Sequence, residues 1–243
     1  MSGPSRATSI FLDRYDVKPG RPELALLGRI SAGYGSLPWE NLTKFIKKHQ
    51  APEREREDLP PLLRGLPGAD RLRLSDEVLA DHVRWGTGGT CFSLTHTLRR
   101  IVTDLGFSAA PAMADMRYGP NLHCALLVYL DGARYLLDPG YLVAEPVPLH
   151  PGRPVLVRQP GQELVYRPVG DRDEFELQTR NERGEEVFRY RLRPAPVSRI
   201  DFIRFWLDSF DATGMNGLHC NRMTSEARLS AHNWNLRVDT GHG

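Results

Sequence analysis

The stretch HCALLVYLDGARYLLDPGY, residues 123–141, decides how this chain folds. Two apolar runs flank Asp131-Gly132, and an Asp-Gly pair between such runs is a strong two-residue hairpin signal. That turn sets Leu130 opposite Ala133, and Asp138 then falls opposite Ala125. Side chains two apart on a strand share a face. His123 and Asp138 are therefore diagonal neighbours on one side of the hairpin, ~7–8 Å apart and within side-chain reach. The rest of that face carries Leu127, Tyr129 and Leu136. A histidine and an aspartate among apolar groups are costly to bury unless they bond each other. Cys124 points to the opposite face and is expected in the core.

Downstream the scheme repeats. PVLVRQPGQELVYRPV (154–169) turns around Pro160-Gly161, and DEFELQTRNERGEEVFRYRLRP (173–194) turns around Gly184. Three consecutive hairpins predict an antiparallel sheet or a partly closed barrel. SRIDFIRFWLDSFDATG (198–214) returns to helical spacing, with Ser198 as cap and Gly214 as stop. The tail, 217–243, is polar and shows no clear period.

Upstream the period is helical. PELALLGRISAGYG (22–35) places Pro22 in a first turn, with Leu24, Leu27 and Ile30 at helical spacing. PWENLTKFIKKHQ (38–50) predicts Trp39, Leu42, Phe45 and Ile46 on one face. Residues 51–74, rich in proline, arginine and glutamate, read as a surface loop. Ser75 with Asp76 and Glu77 reads as a helix start. The plan is α+β, changing character near residue 108.

The last upstream stretch, HVRWGTGGTCFSLTHTLRRIVTDLGF (82–107), carries the chemistry. Leu94, Leu98, Ile101, Val102 and Leu105 form one helical face, and Gly106 is a stop. The helix runs roughly 91–105, with Cys91 in its first turn. Free N–H groups and the positive end of the dipole favour a thiolate there. Gly88 and Gly89 leave little bulk over the sulfur. Two readings stand: a small buried residue near a helix start, or a nucleophile, for which a partner base is needed. His123 is the candidate base, with Asp138 fixing its tautomer. The competing reading of that pair is a self-satisfied polar contact in a core.

Composition narrows the classes. The chain has 243 residues, 40% hydrophobic and 26% charged, with a net charge of +2. That charge is too small to argue for nucleic acid or an anionic membrane surface. Three cysteines, Cys91, Cys124 and Cys220, form no disulfide framework and point to a reducing compartment. The N-terminus has no apolar leader core, and no run reaches the ~18 apolar residues of a membrane span. A cytoplasmic protein is expected. Cys220 beside His219 lacks zinc-site spacing, and GTGGT lacks the strand and lysine of a P-loop, so no metal site is expected. His96 points away from the nucleophile's face.

Three stretches in this order, YGSLPWENL, GGTCFSL…LGF and HCALLVYLDGARYLLDPGY, resemble the arylamine N-acetyltransferases from about Ile10 to Pro148. The resemblance implies a helical domain (1–108), a central antiparallel β-barrel (109–195) and a shortened α/β lid (196–243). It implies a papain-like triad of Cys91 as nucleophile, His123 as base and Asp138 as orienting acid, with Trp39 and Tyr141 lining the acceptor pocket. It also implies ping-pong acyl transfer from acetyl-CoA or another acyl-CoA, a co-substrate rather than a resident cofactor, to a small-molecule amine. Related amide synthases take a natural-product intermediate from an acyl carrier protein, and a cysteine hydrolase or transglutaminase-like enzyme is a further alternative. The chain departs from the family pattern at Thr87, where the family has arginine, and at Ser93, where it has glutamate. Those changes remove one partner for Glu40.

Overall fold

The computed structural model describes residues 3–50, 61, 63, 65–180, 184–212 and 216–240. Among the described residues five α-helices come first: α1 (Arg6–Tyr15), α2 (Leu24–Tyr34), α3 (Leu42–His49), α4 (Ser75–Trp85) and α5 (Cys91–Asp104). The apolar stripe of α5, Leu94, Leu98, Ile101 and Val102, buries against Phe11 of α1, Ile30 of α2 and Val78 of α4. Gly106 ends that helix at φ +88°, a conformation that favours glycine. Helix α2 starts two residues after Pro22, which stands outside the first turn rather than in it.

Eight strands follow: β2 (Ser108–Met116), β3 (Gly119–Leu130), β4 (Ala133–Leu137), β5 (Val147–Pro148), β6 (Val155–Gln159), β7 (Gln162–Pro168), β8 (Phe175–Arg180) and β9 (Glu186–Leu192). They form one antiparallel sheet in the order β5-β4-β3-β2-β9-β8-β7-β6, and its edge strands β5 and β6 approach each other, so the sheet is nearly closed. Leu130 pairs with Ala133, and Asp131 and Gly132 take φ +50° and +76°, the twist a two-residue hairpin needs. Gln159 pairs with Gln162 across Pro160-Gly161. Arg180 pairs with Glu186, and residues 181–183 lie outside the described residues.

Strand β3 is the seam of the molecule. Leu126 and Val128 join the helical core, while Ala125 and Leu127 join the barrel interior with Leu164, Tyr166 and Leu177. Burial on both faces explains why 124–130 is a continuous apolar run rather than an alternating one.

Helix α6 (Arg199–Asp208) follows, capped by Ser198, whose Oγ accepts from Asp201 N at 3.1 Å. It ends at Asp208, and Gly214 lies outside the described residues. The polar tail is a meander of β10 (His219–Met223), β11 (Arg228–His232) and β12 (Asn235–Asp239). Strand β10 pairs with β1 (Trp39–Glu40), which brings the end of the chain onto its beginning. No described helix is long and apolar enough to cross a membrane.

Two further expectations are corrected. On α3, Leu42 and Ile46 are exposed, and Thr43 and Lys44 are buried instead. Polar partners waiting inside reverse the face: Lys44 Nζ donates to Ser209 O at 2.6 Å and Oγ at 2.7 Å, and Thr43 Oγ1 donates to Glu40 at 2.7 Å. The segment 51–74 is not all surface loop. Residues 51–60 lie outside the described residues, but Leu63, Leu72 and Arg73 are buried, and the two leucines pack with Phe202 and Trp206 of α6.

Candidate active site

Cys91 is the first residue of α5. Its cap, Thr90, is extended and makes no side-chain cap bond, so the first-turn N–H groups stay free of a local partner. The loop before it is stitched to β1: Glu40 N donates to Gly89 O at 3.0 Å, and Gly89 N donates to Pro38 O at 3.3 Å. A Cβ at Gly88 would stand 1.8 Å from Pro38 O, so the approach requires glycine. This contact holds Trp39 beside the loop that leads into Cys91.

Asp138 caps the short 3-10 turn Pro139–Tyr141 and is fully buried. Its Oδ1 accepts from Tyr141 N at 3.2 Å and from His123 Nε2 at 3.1 Å. Its Oδ2 accepts from Tyr190 Oη at 2.6 Å. Tyr190 also stacks on the imidazole, ring centroids 4.6 Å apart, and Tyr141 meets the same ring edge-on at 5.3 Å. With Nε2 committed to Asp138, Nδ1 is the ring nitrogen left for another partner. A Cβ built on Gly140 would stand 2.5 Å from His123 Cε1 and 3.0 Å from Cys91 Cβ. Cys91 and the imidazole thus converge on one point, and only glycine fits between them and the turn.

The electrostatics follow from these contacts. The Cys91 thiol is held well below the ordinary cysteine range. The Cys124 thiol donating to it is the largest cause, followed by His123 beside it, against the opposing effect of burial. Burial disfavours the His123 imidazolium, yet the Asp138 carboxylate and Cys91 outweigh it and push the ring up to about 10. The lowered thiol and the raised imidazole both favour a thiolate–imidazolium pair. Alkylation of Cys91 by iodoacetamide, followed by peptide mapping, is expected to proceed at a nearly constant rate across neutral pH. Cys124→Ala should move its acid limb to higher pH. A rate that climbs tenfold per unit toward the ordinary thiol pKa of ~8–9 would disprove the ion pair.

Cys91, His123, Trp39 and Tyr141 border one cavity of about 570 Å³. Its lining includes the cations Lys44, Arg189 and Arg228 and, among the described residues, no aspartate or glutamate. Burial pushes the Lys44 amine down to about 8. Sequence spacing brought out Cys91, His123 and Asp138, and the family resemblance added Trp39 and Tyr141. It missed Tyr190, Cys124, Lys44 and the two arginines, which arrive from other elements with no local signature.

The loss of arginine at position 87 is made good from elsewhere. Arg73, buried ahead of α4, puts Nη1 3.8 Å from Glu40 Oε1 and donates from it to Gly88 O and Thr43 Oγ1, both at 2.7 Å. Its Nη2 donates to Asp81 at 2.7 Å. Glu40 thus keeps a cationic partner, and the loop carrying Cys91 keeps a side-chain anchor.

Comparison with known proteins agrees with this architecture. A family model described as N-acetyltransferase matches residues 69–243. The arylamine N-acetyltransferase of Mycobacterium abscessus superposes with a TM-score of 0.74 at 17% identity, covering 97% of this chain and 82% of that one. The enzyme of the same name from Salmonella typhimurium gives 0.74 at 17% identity over 98% and 84%. That of M. smegmatis gives 0.73 at 22% identity over 96% and 82%. At these identities the likeness is one of fold. Proansamycin X synthase of Amycolatopsis mediterranei (strain S699) is 33% identical over 72 residues, 27% of this chain and 28% of that one, so the match spans little more than a quarter of that relative. With most of its length inside the family model, this chain belongs to the arylamine N-acetyltransferases, a family of acyltransferases.

Proposed function

We propose that the chain moves an acyl group from a thioester donor, acetyl-CoA or another acyl-CoA, through a Cys91 thioester to an amine acceptor. What supports this reading is that Cys91, at a helix N-terminus without a side-chain cap bond, and the His123 ring, whose Nε2 is bonded to the buried Asp138 carboxylate, both stand close to Gly140. The three act as a papain-like triad. The Cys91 thiolate attacks the donor carbonyl, and the oxyanion that forms lies against the helix N-terminus, where the Cys91 N–H can donate to it. The intermediate collapses and expels the donor thiolate, which takes the His123 proton and leaves as free CoA. The acceptor amine then attacks the Cys91 thioester and gives its proton to His123. Collapse releases the amide and restores the thiolate.

Lys44, Arg189 and Arg228 suit the phosphates of a CoA donor, and Trp39 and Tyr141 offer aromatic faces to the acceptor. The partial likeness to a synthase favours a second reading, in which an acyl carrier protein presents a natural-product intermediate that the enzyme closes to an amide.

Mixed with acetyl-CoA and no amine, the protein is expected to release one equivalent of CoA in a burst and to gain one acetyl mass. An arylamine should then discharge it. Acylation only by a carrier-bound pantetheine thioester would select the second reading. Continuous CoA release without amine would mark a hydrolase, and no adduct from any thioester would overturn the acyl-transfer reading.

A further inference from the structure

A second cavity, of about 370 Å³, lies on another side of α5 and shares no lining residue with the Cys91 cavity. Arg99 and Arg100 of α5 and Arg199, the first residue of α6, border it. The start of α4 borders it too, at Ser75 and Asp76, and this helix has no side-chain cap bond. Arg100 is paired with Asp104 at 3.1 Å. Arg99 and Arg199 have no carboxylate partner among the described residues, and Arg99 Nε is sealed from water with no hydrogen-bond acceptor. The one acid on the wall, Asp76, already accepts from Ala7 N at 2.8 Å at the start of α1. His96 adds no charge: burial and the neighbouring arginines press its pKa down to about 4, and its Nδ1 lies 3.2 Å from Ser75 Oγ. Burial and the like charges of Arg199 and Arg100 also lower the Arg99 pKa.

Arg99 and Arg199 keep their charge without a carboxylate, and the empty buried donor on Arg99 is a place for an acceptor from outside the chain. The geometry points to a binding site for a phosphate monoester with a small apolar body. Two guanidinium groups lacking carboxylates suit a dianion better than a monoanion. Phe202, Ile203 and Pro111 supply an apolar wall that a bare ion does not need. The site stands apart from the acyl-transfer reading and does not depend on it.

Titration calorimetry of the full chain with phenyl phosphate at low salt tests the site. A saturable binding component is expected that Arg99→Gln and Arg199→Gln each weaken at least tenfold. Arg189→Gln, in the other cavity, should leave it unchanged. Inorganic phosphate and benzoate should each bind more weakly, and equal binding by either overturns the monoester assignment. Loss of binding on Arg189→Gln but not on Arg99→Gln places the ligand in the Cys91 cavity and overturns the site. Without ligand, Arg99→Gln should melt at the same temperature or higher, because repulsion is relieved. A lower melting temperature would mean that the guanidinium holds the fold, and the proposal fails.

Discussion

Cys91→Ala is expected to take up no acyl group from any thioester donor, as read by intact mass, and to lower turnover on the order of 10⁴-fold or more, the scale seen when a nucleophile is removed. The reason lies in the sulfur rather than in the position. The Cys124 thiol and His123 lower the Cys91 thiol's pKa and so favour the thiolate, whereas a serine hydroxyl at the same place would stay protonated. Cys91→Ser should therefore be as inactive as the alanine variant although nearly isosteric. Folding should survive both changes, since the side chain is small and the α5 stripe, Leu94 to Val102, is untouched. His123→Ala separates roles further. If the protein stays folded but is not acylated, the imidazole serves the chemistry. If it unfolds, the stacked His123–Tyr190 pair is a core contact first. An acyl adduct on Cys91→Ala would remove the proposed mechanism.

The second large effect is expected at Arg73. Its guanidinium and the Glu40 carboxylate are both buried, 4% and 3% exposed. Removing one half of such a pair leaves an uncompensated charge, which costs about 3–5 kcal/mol. Arg73→Met should lose stability on that scale in urea unfolding. It should also slow acylation, because Gly88 O loses the donor that fixes the loop before Cys91. In the double variant Arg73→Met/Glu40→Gln the stranded charge is gone, so the combined loss should be smaller than the sum of the single ones. A loss for Arg73→Met under ~1 kcal/mol would place the pair with exposed salt bridges, and the anchoring role would fall.

The two predictions rest on residues of different legibility. Cys91 was readable because an α-helix writes its own start and stop: five apolar side chains on one stripe and a glycine after them. His123 and Asp138 were readable because a two-residue turn fixes the register of its strands, and the observed pairing of Leu126 with Leu137 continues the register read from Asp131-Gly132. Arg73 was read as part of a loop, and α3 was given the wrong inward face. In both places the buried groups are polar or charged, and their partners, Glu40, Ser209 and Asp81, come from other elements. No hydrophobic period announces such a contact.

The amino-acid sequence by itself determined the local elements: helix α5 with cysteine at its head, three hairpins, and a histidine and an aspartate facing one way across the first of them. Backbone geometry repeats every two or 3.6 residues, so neighbours in the chain carry that information. Only the tertiary structure decided which surfaces meet. Tyr190 behind Asp138, Cys124 beside Cys91, Arg73 on Glu40 and the tail strand β10 on Trp39 are all joined across long stretches of chain. Such contacts depend on the free energy of closing and packing the whole sheet against the helices, which no short stretch contains.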